Sequence, residues 1–333
     1  MMKIAVIGSG SWGTALANIL AGNKHDVLIW GKNEDEILDI QNNHQNSNYF
    51  EDVTLSSDLK ATTNFDDLLE YDIFLLAVPS IAIEEVCQRI NDNVKNKITI
   101  INVAKGFHPI THEYLMDVIR NSMDKEKLQA VVSLIGPSHA EEVVLGQLTA
   151  VNAVSTDLEA ASLVQHLFSN DTFRVYTNDD EIGAQIGVAI KNIIALASGI
   201  AKGLGHGDNA RAALITRGLA EMARYGVYFG GKMETFLGLC GVGDLVVTAS
   251  SEHSRNFQAG YAVGKAGSVD DFNKHNTKTV EGVSAAKVVH EVALENNIEM
   301  PITQQVYEVF YESKDPSIAI IELMNRDLKH EMK

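Results

Sequence analysis

The chain has 333 residues, 45% of them hydrophobic, and a net charge of −17, so it can bury the cores of two domains and is not a disordered protein. Such an acidic surface argues against nucleic acid or an anionic membrane as a general partner, because both carry charge of the same sign. The two cysteines, Cys87 and Cys240, lack metal-ligand spacing. Neither a disulfide framework nor a zinc site is therefore expected.

The N-terminus runs directly into an apolar strand, leaving no room for the core of a signal peptide, and no uninterrupted apolar run is expected to be long enough to cross a membrane. These features predict a cytoplasmic protein without membrane insertion.

The pattern of apolar residues changes at about residue 178. Before it, short β-branched runs alternate with amphipathic helical stretches, which is typical of a parallel sheet with crossover helices. After it, helical periodicity dominates. The predicted fold class is α/β, with a doubly wound sheet in residues 1–178 and an all-α domain in residues 179–333. Predicted strands are 3–7, 26–30, 73–78, 98–103, 130–135 and 148–154, and predicted helices are 181–202, 208–229, 253–266, 281–296 and 301–312. The polar segment 42–48 is predicted to be a surface loop.

A glycine-rich turn, Gly8-Ser9-Gly10-Ser11-Trp12-Gly13, follows the first predicted strand and opens a helix. In a dinucleotide fingerprint Gly8 permits the tight turn, Gly10 lets the backbone approach a pyrophosphate, and Gly13 lets helix and strand pack closely. The helix N-terminus adds amide donors and positive potential. This context indicates a dinucleotide site rather than an accidental turn.

The second predicted strand ends in Trp30-Gly31-Lys32-Asn33, where an NAD-binding domain usually carries an acid for the ribose hydroxyls. The first acid, Glu34, is better placed in the first turn of a helix capped by Asn33. A lysine suits a 2′-phosphate, so Lys32 favours NADP, with NAD possible. The alternative is a solvated surface lysine.

Two further strand ends belong to the same edge of the predicted sheet, where open α/β sheets bind ligands. One carries Ala104-Lys105-Gly106, in which the lysine could reach an anionic or carbonyl substrate. The other carries Gly136-Pro137-Ser138, where a strand gives way to a helix start with free amide groups. His139, which follows, is interpreted as structural or surface.

Lys191 lies within the segment 182–197, which is apolar on nearly every face and is predicted to be a buried helix. No acidic residue lies three or four positions away, so no carboxylate on its own helix can pair with it. Such a lysine needs a partner from elsewhere or loses its proton, since desolvation and nearby cations lower a lysine pKa from about 10.4. These properties suit a general acid/base. A side chain that reaches solvent from a helix end fits a mid-helix position poorly.

Polar residues after position 240 complete a possible site for a phosphorylated carbonyl compound. Asp244 could orient or neutralise a buried lysine. Arg255 offers the planar fork that binds a phosphate with two hydrogen bonds, and Asn256 could add an amide donor. Taken singly, Asp244 could be a helix cap and Arg255 a solvated surface charge.

These motifs together resemble the bacterial glycerol-3-phosphate dehydrogenase family over nearly the whole chain. The matching segments are Gly8-Ser9-Gly10-Ser11-Trp12-Gly13-Thr14-Ala15, Ala104-Lys105-Gly106, Gly136-Pro137-Ser138, Ala189-Ile190-Lys191-Asn192, Gly243-Asp244-Leu245 with Thr248, Ser254-Arg255-Asn256, and Val280-Glu281-Gly282.

The resemblance implies a Rossmann domain followed by a helical domain like that of 6-phosphogluconate dehydrogenases. Dihydroxyacetone phosphate would bind between them and be reduced with NADPH or NADH to sn-glycerol 3-phosphate, which feeds phospholipid synthesis; a homodimer is also implied. The implied catalytic residues are Lys191 as proton donor or acceptor, Lys105 and Asp244. The implied substrate-binding residues are Lys105, Gly136, Ser138, Lys191, Asp244, Thr248, Ser254, Arg255 and Asn256. The cofactor-binding residues are Gly8, Gly10, Ser11, Trp12, Gly13, Lys32, Lys105, Ala140, Arg255, Thr279 and Glu281.

The chain departs from the family pattern in one loop. After Asn46-Ser47-Asn48-Tyr49 the family usually continues with Leu-Pro-Gly, whereas this chain has Phe50-Glu51-Asp52. The loss of Pro and Gly changes the turns available to the loop, which argues against a cofactor contact from Tyr49. His139, where the family tends to carry an aromatic residue, leaves the implied roles unchanged.

Two alternative functions remain open from the residues alone. A β-hydroxyacid or UDP-sugar dehydrogenase could share the two-domain plan, and a UDP-sugar enzyme would need Cys240 as nucleophile. Cys240 has no adjacent lysine or histidine to lower its pKa, so a packed thiol is favoured. A non-catalytic module that senses NADP would keep the glycine turn but would have little use for a buried lysine and a phosphate-binding arginine.

Overall fold

The computed structural model describes residues 1–275, 280–328 and 330–331. The chain forms two compact units, Met1–Gln185 and Ile186–Lys333. The predicted boundary after residue 178 falls at the end of the last strand, and the observed division lies a few residues later, inside the helix that begins at Glu181.

The first unit is built on one eight-stranded sheet. Its spatial order is β3-β2-β1-β4-β5-β6-β7-β8, and neighbouring strands are parallel except for the antiparallel pair of β6 and β7. This order agrees with the predicted Rossmann-type fold. The strands are β1 Lys3–Ile7, β2 Asp26–Trp30, β3 Leu59–Thr62, β4 Ile73–Leu76, β5 Ile98–Asn102, β6 Leu128–Ile135, β7 Thr149–Val154 and β8 Phe173–Asn178.

Helices cover both faces of this sheet, which explains the continuous apolar runs of its central strands. Ile4 and Val6 of β1 point into the core on one face, while Ala5 and Ile7 point into the core on the other. The helices of this unit are α1 Ser11–Gly22, α2 Glu34–Leu38, α3 Ile83–Asn93, α4 Leu115–Asn121, α5 Ala140–Val144 and α6 Leu158–Phe168.

Three features of the sheet differ from the prediction. Strands β3 and β8 are absent from the predicted set because both are edge strands, in which residues such as Lys60 and Arg174 are exposed and interrupt the apolar run. Strand β7 is predicted as part of a parallel sheet but runs antiparallel to β6. The connection between them contains one helix, the five-residue α5, and returns the chain to the sheet in the opposite direction.

The second unit is helical, as predicted, and the long helix α7 enters it from the first unit. All five predicted helices are found within two residues of the predicted ends, and short helices at 233–250, 269–275 and 316–324 are additional. The helices are α7 Glu181–Gly203, α8 Asp208–Tyr228, α9 Met233–Phe236, α10 Asp244–Ser250, α11 Arg255–Ala266, α12 Val269–His275, α13 Glu281–Glu295, α14 Pro301–Tyr311 and α15 Pro316–Met324.

Glycines let α7 and α11 approach each other at backbone distance. A Cβ atom on Gly199 would lie 2.1 Å from the carbonyl oxygen of Phe257, and one on Gly260 would lie 2.1 Å from that of Leu196. Side chains at these positions would push the two helices apart. The packing thus holds α11 against the helix that carries Lys191.

Two helical segments are long and apolar enough to cross a membrane, Glu181–Gly203 and Met233–Ser250. Each is interrupted by charged residues, Lys191 in the first and Glu234 and Asp244 in the second, so the expectation that no uninterrupted apolar run is long enough is compatible with both. The most apolar stretch of the first segment is completely buried within the protein, whereas that of the second is 44% buried. The burial of α7 identifies it as a core helix of the fold.

A buried carboxylate fixes the start of α14. Glu221 on α8 is 2% exposed, and its carboxylate accepts the backbone N–H groups of Ile302 and Thr303 and the hydroxyl of Thr303. These N–H groups have no partner within their own helix, so Glu221 acts as a cap supplied by another helix. Burial raises the pKa of Glu221 to about 7, although these donors and Arg224 act in the opposite direction.

We expect this carboxylate to make stability depend on pH. The folded protein keeps the proton of Glu221 up to about pH 7, whereas the unfolded chain releases it near pH 4.5, so the folded state binds more protons between these values. Wild type should therefore lose on the order of 3 kcal/mol relative to Glu221→Gln as the pH rises through this window. Urea unfolding at several pH values between about 5 and 8 measures the difference. The matched control is Glu295→Gln, because Glu295 is exposed; parallel profiles for wild type and Glu221→Gln would contradict the expectation.

Candidate active site

The glycine turn after β1 contains two positions at which packing excludes a side chain. Gly8 has a left-handed φ of +115°, and a Cβ atom there would lie 2.3 Å from the carbonyl oxygen of Ala77. A Cβ atom on Gly13 would lie 2.0 Å from the carbonyl oxygen of Gly8. A Cβ atom on Gly10, in contrast, would meet no atom within 4 Å. Gly8 and Gly13 are thus required by the fold, whereas Gly10 leaves open space beside the backbone.

The turn suits a dinucleotide pyrophosphate. Helix α1 begins at Ser11 with no acidic residue in its first turn, so its free amide groups and the positive end of its dipole are available to an anion. The turn also lies where the strand order reverses between β1 and β4, which is the usual ligand position in doubly wound sheets. Trp12 is partly buried and packs against the core, so it anchors the turn. The residues therefore fit the cofactor that the fold implies.

A buried amide holds the glycine turn from a distant loop. Asn46 is 1% exposed, and its Nδ2 donates to the Ser9 carbonyl oxygen at 2.9 Å and to Thr14 Oγ1 at 2.8 Å. The Ser9 hydroxyl donates to Glu36 Oε2 at 2.7 Å. The prediction that segment 42–48 is a surface loop is thus wrong for Asn46, and no local sequence signal shows that the loop returns to the turn.

The loop that departs from the family pattern keeps a left-handed turn. Asp52, where the family usually has glycine, adopts a φ of +58°, a conformation that aspartate tolerates better than most side chains. Phe50 is 5% exposed and joins the core. The Tyr49 side chain is 45% exposed. Loss of part of its hydration, together with the neighbouring Glu36, raises the pKa of its hydroxyl.

Lys32, after the end of β2, is also exposed. It directly precedes Asn33, which caps α2 by accepting the amides of Asp35 and Glu36.

The other predicted residues of the first unit lie at the ends of β5 and β6. Lys105 is half-buried in the loop after β5 and precedes Gly106, which has a φ of +86°. Gly136 lies at the end of β6, where a Cβ atom would come within 2.8 Å of the Val151 backbone. The Ser138 hydroxyl donates to the Gly136 carbonyl oxygen at 3.0 Å. Ala140 is the first residue of α5.

A buried ion pair lies in the second unit. Lys191 is 1% exposed and its ammonium group contacts the Asp244 carboxylate, which is 2% exposed. One turn later on α10, the Thr248 hydroxyl donates to the Asp244 carbonyl oxygen at 2.6 Å and lies 3.4 Å from its carboxylate. The partner of Lys191 therefore comes from a different helix, α10. This agrees with the prediction that Asp244 could orient or neutralise a buried lysine.

Close packing brings this pair together. Gly187 lies one turn before Lys191 on α7, and a Cβ atom there would lie 2.4 Å from the Cys240 carbonyl oxygen. Cys240 belongs to a π-helical segment, Leu239–Gly243, that ends directly at Asp244. Such wide turns are frequent at functional sites. A side chain at position 187 would separate this segment from α7 and Asp244 from Lys191.

A second polar cluster surrounds the start of α11. Ser254 caps this helix by accepting the Phe257 amide. Arg255 is 63% exposed in its side chain, and its guanidinium lies 3.3 Å from Glu281 Oε1. Asn256 is buried and accepts the Gly282 amide at 2.9 Å. The arginine is thus presented to solvent while its neighbours are fixed.

The two polar clusters of the second unit adjoin. A Cβ atom on Gly282 would lie 2.6 Å from the backbone oxygen of Asn192, so the start of α13 packs against α7 at the residue that follows Lys191. The structure therefore brings together Lys191, Asp244, Thr248, Ser254, Arg255, Asn256 and Glu281 in this unit. In the first unit it groups Gly8, Gly10, Ser11, Trp12 and Gly13 at one turn, with Lys105, Gly136, Ser138 and Ala140 at neighbouring strand ends. Thr279 lies outside the described residues.

Both cysteines are packed thiols. Cys240 is completely buried, which favours the packed thiol over the nucleophile that a UDP-sugar dehydrogenase needs. Cys87 is also completely buried, and burial raises its pKa to about 12. Within the described residues, no group of three or more His, Cys, Asp or Glu side chains could hold a metal ion.

Comparisons with known proteins agree with this site. Residues 3–161 match the family model for the N-terminus of NAD-dependent glycerol-3-phosphate dehydrogenase, and residues 180–321 match that for its C-terminus. The glycerol-3-phosphate dehydrogenase [NAD(P)+] of Bacillus pumilus is 48% identical over 333 residues, covering 100% of this chain and 96% of the relative. The corresponding Exiguobacterium protein is 46% identical, covering 100% of this chain and 98% of its own.

Solved structures give the same assignment. The crystal structure of glycerol-3-phosphate dehydrogenase from Coxiella burnetii superposes with a TM-score of 0.88 at 37% sequence identity, covering 98% of this chain and 99% of that chain. The Plasmodium falciparum enzyme also has a TM-score of 0.88, over 99% of this chain and 97% of that chain, and at 22% identity it supports the fold alone. The chain therefore belongs to the NAD-dependent glycerol-3-phosphate dehydrogenase family.

Proposed function

We propose that this chain is an NAD(P)-dependent glycerol-3-phosphate dehydrogenase that interconverts dihydroxyacetone phosphate and sn-glycerol 3-phosphate. The observation that carries the proposal is the buried pair of Lys191 and Asp244 next to the cluster formed by Arg255 and Asn256. A proton donor and a phosphate-binding arginine in one unit suit a small phosphorylated ketone. Membership of the family supplies the reaction class.

The first unit would hold the dinucleotide. Gly8, Gly10, Ser11, Trp12 and Gly13 would cradle the pyrophosphate at the N-terminus of α1. Lys32 would contact the 2′-phosphate, so NADP is preferred and NAD is possible. Lys105, Ala140, Arg255, Thr279 and Glu281 are the remaining cofactor contacts of the proposal. When bound, the reduced nicotinamide supplies the hydride for the carbonyl carbon.

The phosphate of the substrate would bind at the start of α11. Arg255 is exposed and can turn its guanidinium toward an anion, while Asn256 and Ser254 are already fixed by hydrogen bonds to the backbone. Gly136 and Ser138 would contact the substrate from the first unit. Binding the distant phosphate restricts the carbonyl to a reactive orientation.

Lys191 would donate the proton that the carbonyl oxygen needs as it becomes a hydroxyl, and would accept it in the reverse direction. Asp244 keeps the ammonium group oriented, and Thr248 holds the start of α10 in place. Lys105 would stabilise the negative charge that develops on the oxygen, which is worth more in a site shielded from water. The proposed catalytic residues are thus Lys191, Lys105 and Asp244.

The proposal extends to the setting of the enzyme. A homodimer whose product feeds phospholipid synthesis is what the resemblance to the bacterial family implies. A cytoplasmic location without membrane insertion is the prediction from the sequence, and the burial of α7 supports the absence of insertion. The same proposal includes the domain roles predicted from the sequence, in which residues 1–178 bind the cofactor and residues 179–333 bind the substrate.

Steady-state kinetics test the reaction directly. Purified protein should oxidise NADPH when dihydroxyacetone phosphate is added, and should do so with NADH less efficiently, as followed by absorbance at about 340 nm. β-Hydroxyacids and UDP-glucose with the oxidised cofactors are the comparison substrates. Tight dinucleotide binding without turnover of any phosphorylated ketone would instead indicate a nucleotide-sensing protein.

Gly10→Ala should separate cofactor binding from folding. Gly10 has an extended conformation with φ −66° and ψ 177°, and an added Cβ atom would meet nothing within the protein. The melting temperature should therefore stay close to that of wild type, while the Kd for NADPH rises at least about tenfold because the methyl group occupies the approach to the backbone. Isothermal titration calorimetry and thermal unfolding give the two quantities. Unchanged affinity in a folded variant would refute the placement of the pyrophosphate.

Lys191→Met should lower kcat by about 10²- to 10⁴-fold, which is the usual contribution of a general acid/base. The Kd for NADPH should remain within about twofold of wild type, because the proposed pyrophosphate site lies in the glycine turn. Stopped assays with high enzyme concentration and fluorescence titration measure these two effects.

Two variants control for the buried charge that Lys191→Met leaves on Asp244. Lys191→Arg keeps a cation beside the carboxylate but cannot give up a proton near neutral pH, so it should fold and remain inactive. Lys202→Met removes a partly exposed lysine from the last turn of the same helix, where it pairs with Glu252, and should retain activity. An active Lys191→Arg enzyme would show that proton transfer by this side chain is unnecessary.

A further inference from the structure

The loop that carries Lys105 is tied down by one buried amide. Asn102, the last residue of β5, is 3% exposed. Its Oδ1 accepts the Ala104 amide at 3.1 Å, and its Nδ2 lies 3.3 Å from both the Ala104 carbonyl oxygen and Ser133 Oγ. Ser133 is the neighbour of Asn102 across the β5–β6 pair and is completely buried. One side chain therefore closes the turn before Lys105 and fastens it to the next strand.

The same loop is fixed on the other side of Lys105. Gly106 takes a left-handed φ of +86°, and Phe107 then forms an antiparallel bridge with Tyr114, whose ring centroid is 5.4 Å from that of Phe107. Helix α4 begins directly after Tyr114. The backbone around Lys105 is thus held between the Asn102 turn and the Phe107–Tyr114 bridge.

We propose that Asn102 is a positioning residue, which directs the ammonium group of Lys105 through the turn that it closes. This inference rests on the proposed function, in which Lys105 stabilises the substrate oxygen. Asn102 itself contacts the loop backbone and Ser133 and has almost no exposed surface. Its effect on catalysis would therefore pass through the position of Lys105.

The chemistry of an amide suits this place. The turn requires one acceptor, for the Ala104 amide, and donors toward the Ala104 carbonyl and Ser133. Asparagine provides both in a short, neutral side chain, whereas aspartate would lose the donors and bury a charge. An error of about 1 Å in a catalytic group can cost about 100-fold in rate, so a fixed turn has a measurable value.

A double-mutant cycle tests the proposal. Lys105→Met should lower kcat/KM for dihydroxyacetone phosphate by about 100-fold or more, the scale of losing one group that stabilises an oxyanion. Asn102→Ala should lower it by about tenfold or more. If Asn102 acts through Lys105, the double variant Asn102→Ala/Lys105→Met should be within about twofold of Lys105→Met alone. A double variant whose loss equals the product of the two single losses would overturn the inference.

A second measurement does not depend on activity. Hydrogen exchange of a peptide spanning residues 102–108 should become faster in Asn102→Ala, and by a smaller factor in Ser133→Ala, which keeps the two contacts with Ala104. The matched control is Thr99→Ala, which truncates another buried polar residue of β5 and should leave both the exchange of this peptide and kcat/KM near wild type.

The two possible failures can be told apart. An inactive wild-type enzyme with accelerated exchange in Asn102→Ala would count against the proposed function, since the turn would be held as described. Normal wild-type activity with unchanged exchange in folded Asn102→Ala would overturn the role of Asn102 and leave the proposed function intact.

Discussion

The ion pair of Lys191 and Asp244 is the constraint around which the second unit is organised. Both side chains are almost completely buried, and removing two charges from water costs several kcal/mol per ion unless each finds its partner. The pair therefore requires that α7, the π-helical segment 239–243 and the start of α10 meet at fixed distances. Gly187 permits this approach, because its missing side chain would otherwise lie against the Cys240 carbonyl oxygen and separate the backbones.

In the first unit, buried asparagine side chains hold the loops that follow the strands. Asn46 joins a distant loop to the glycine turn, and Asn102 joins the Lys105 loop to β6. Each is almost fully buried and hydrogen-bonds backbone groups that would otherwise have to find other partners. Both networks fix backbone next to residues of the proposed site, the glycine turn in one case and Lys105 in the other.

The sequence predicted those features that depend on local pattern. The glycine turn, the central strands and the five long helices each carry a periodicity or a spacing that a single segment reveals, and the structure confirms them. Edge strands β3 and β8 were not predicted, because one side of an edge strand is unpaired and its apolar run is broken. The burial of Lys191 followed from its apolar neighbours. Asn46 and Asn102 were not identified, since their importance arises from contacts with residues distant in the chain.

The π-helical segment 239–243 sets the orientation of the helix that follows it. A π turn contains one more residue than the α turn it replaces, so removing a residue there would restore α-helical register. Every side chain that follows would then rotate by about 100° around the helix axis. Asp244 comes immediately after this segment and would turn away from α7. The number of residues in this segment therefore decides whether Asp244 faces Lys191, and a deletion here would break the ion pair without removing either side chain.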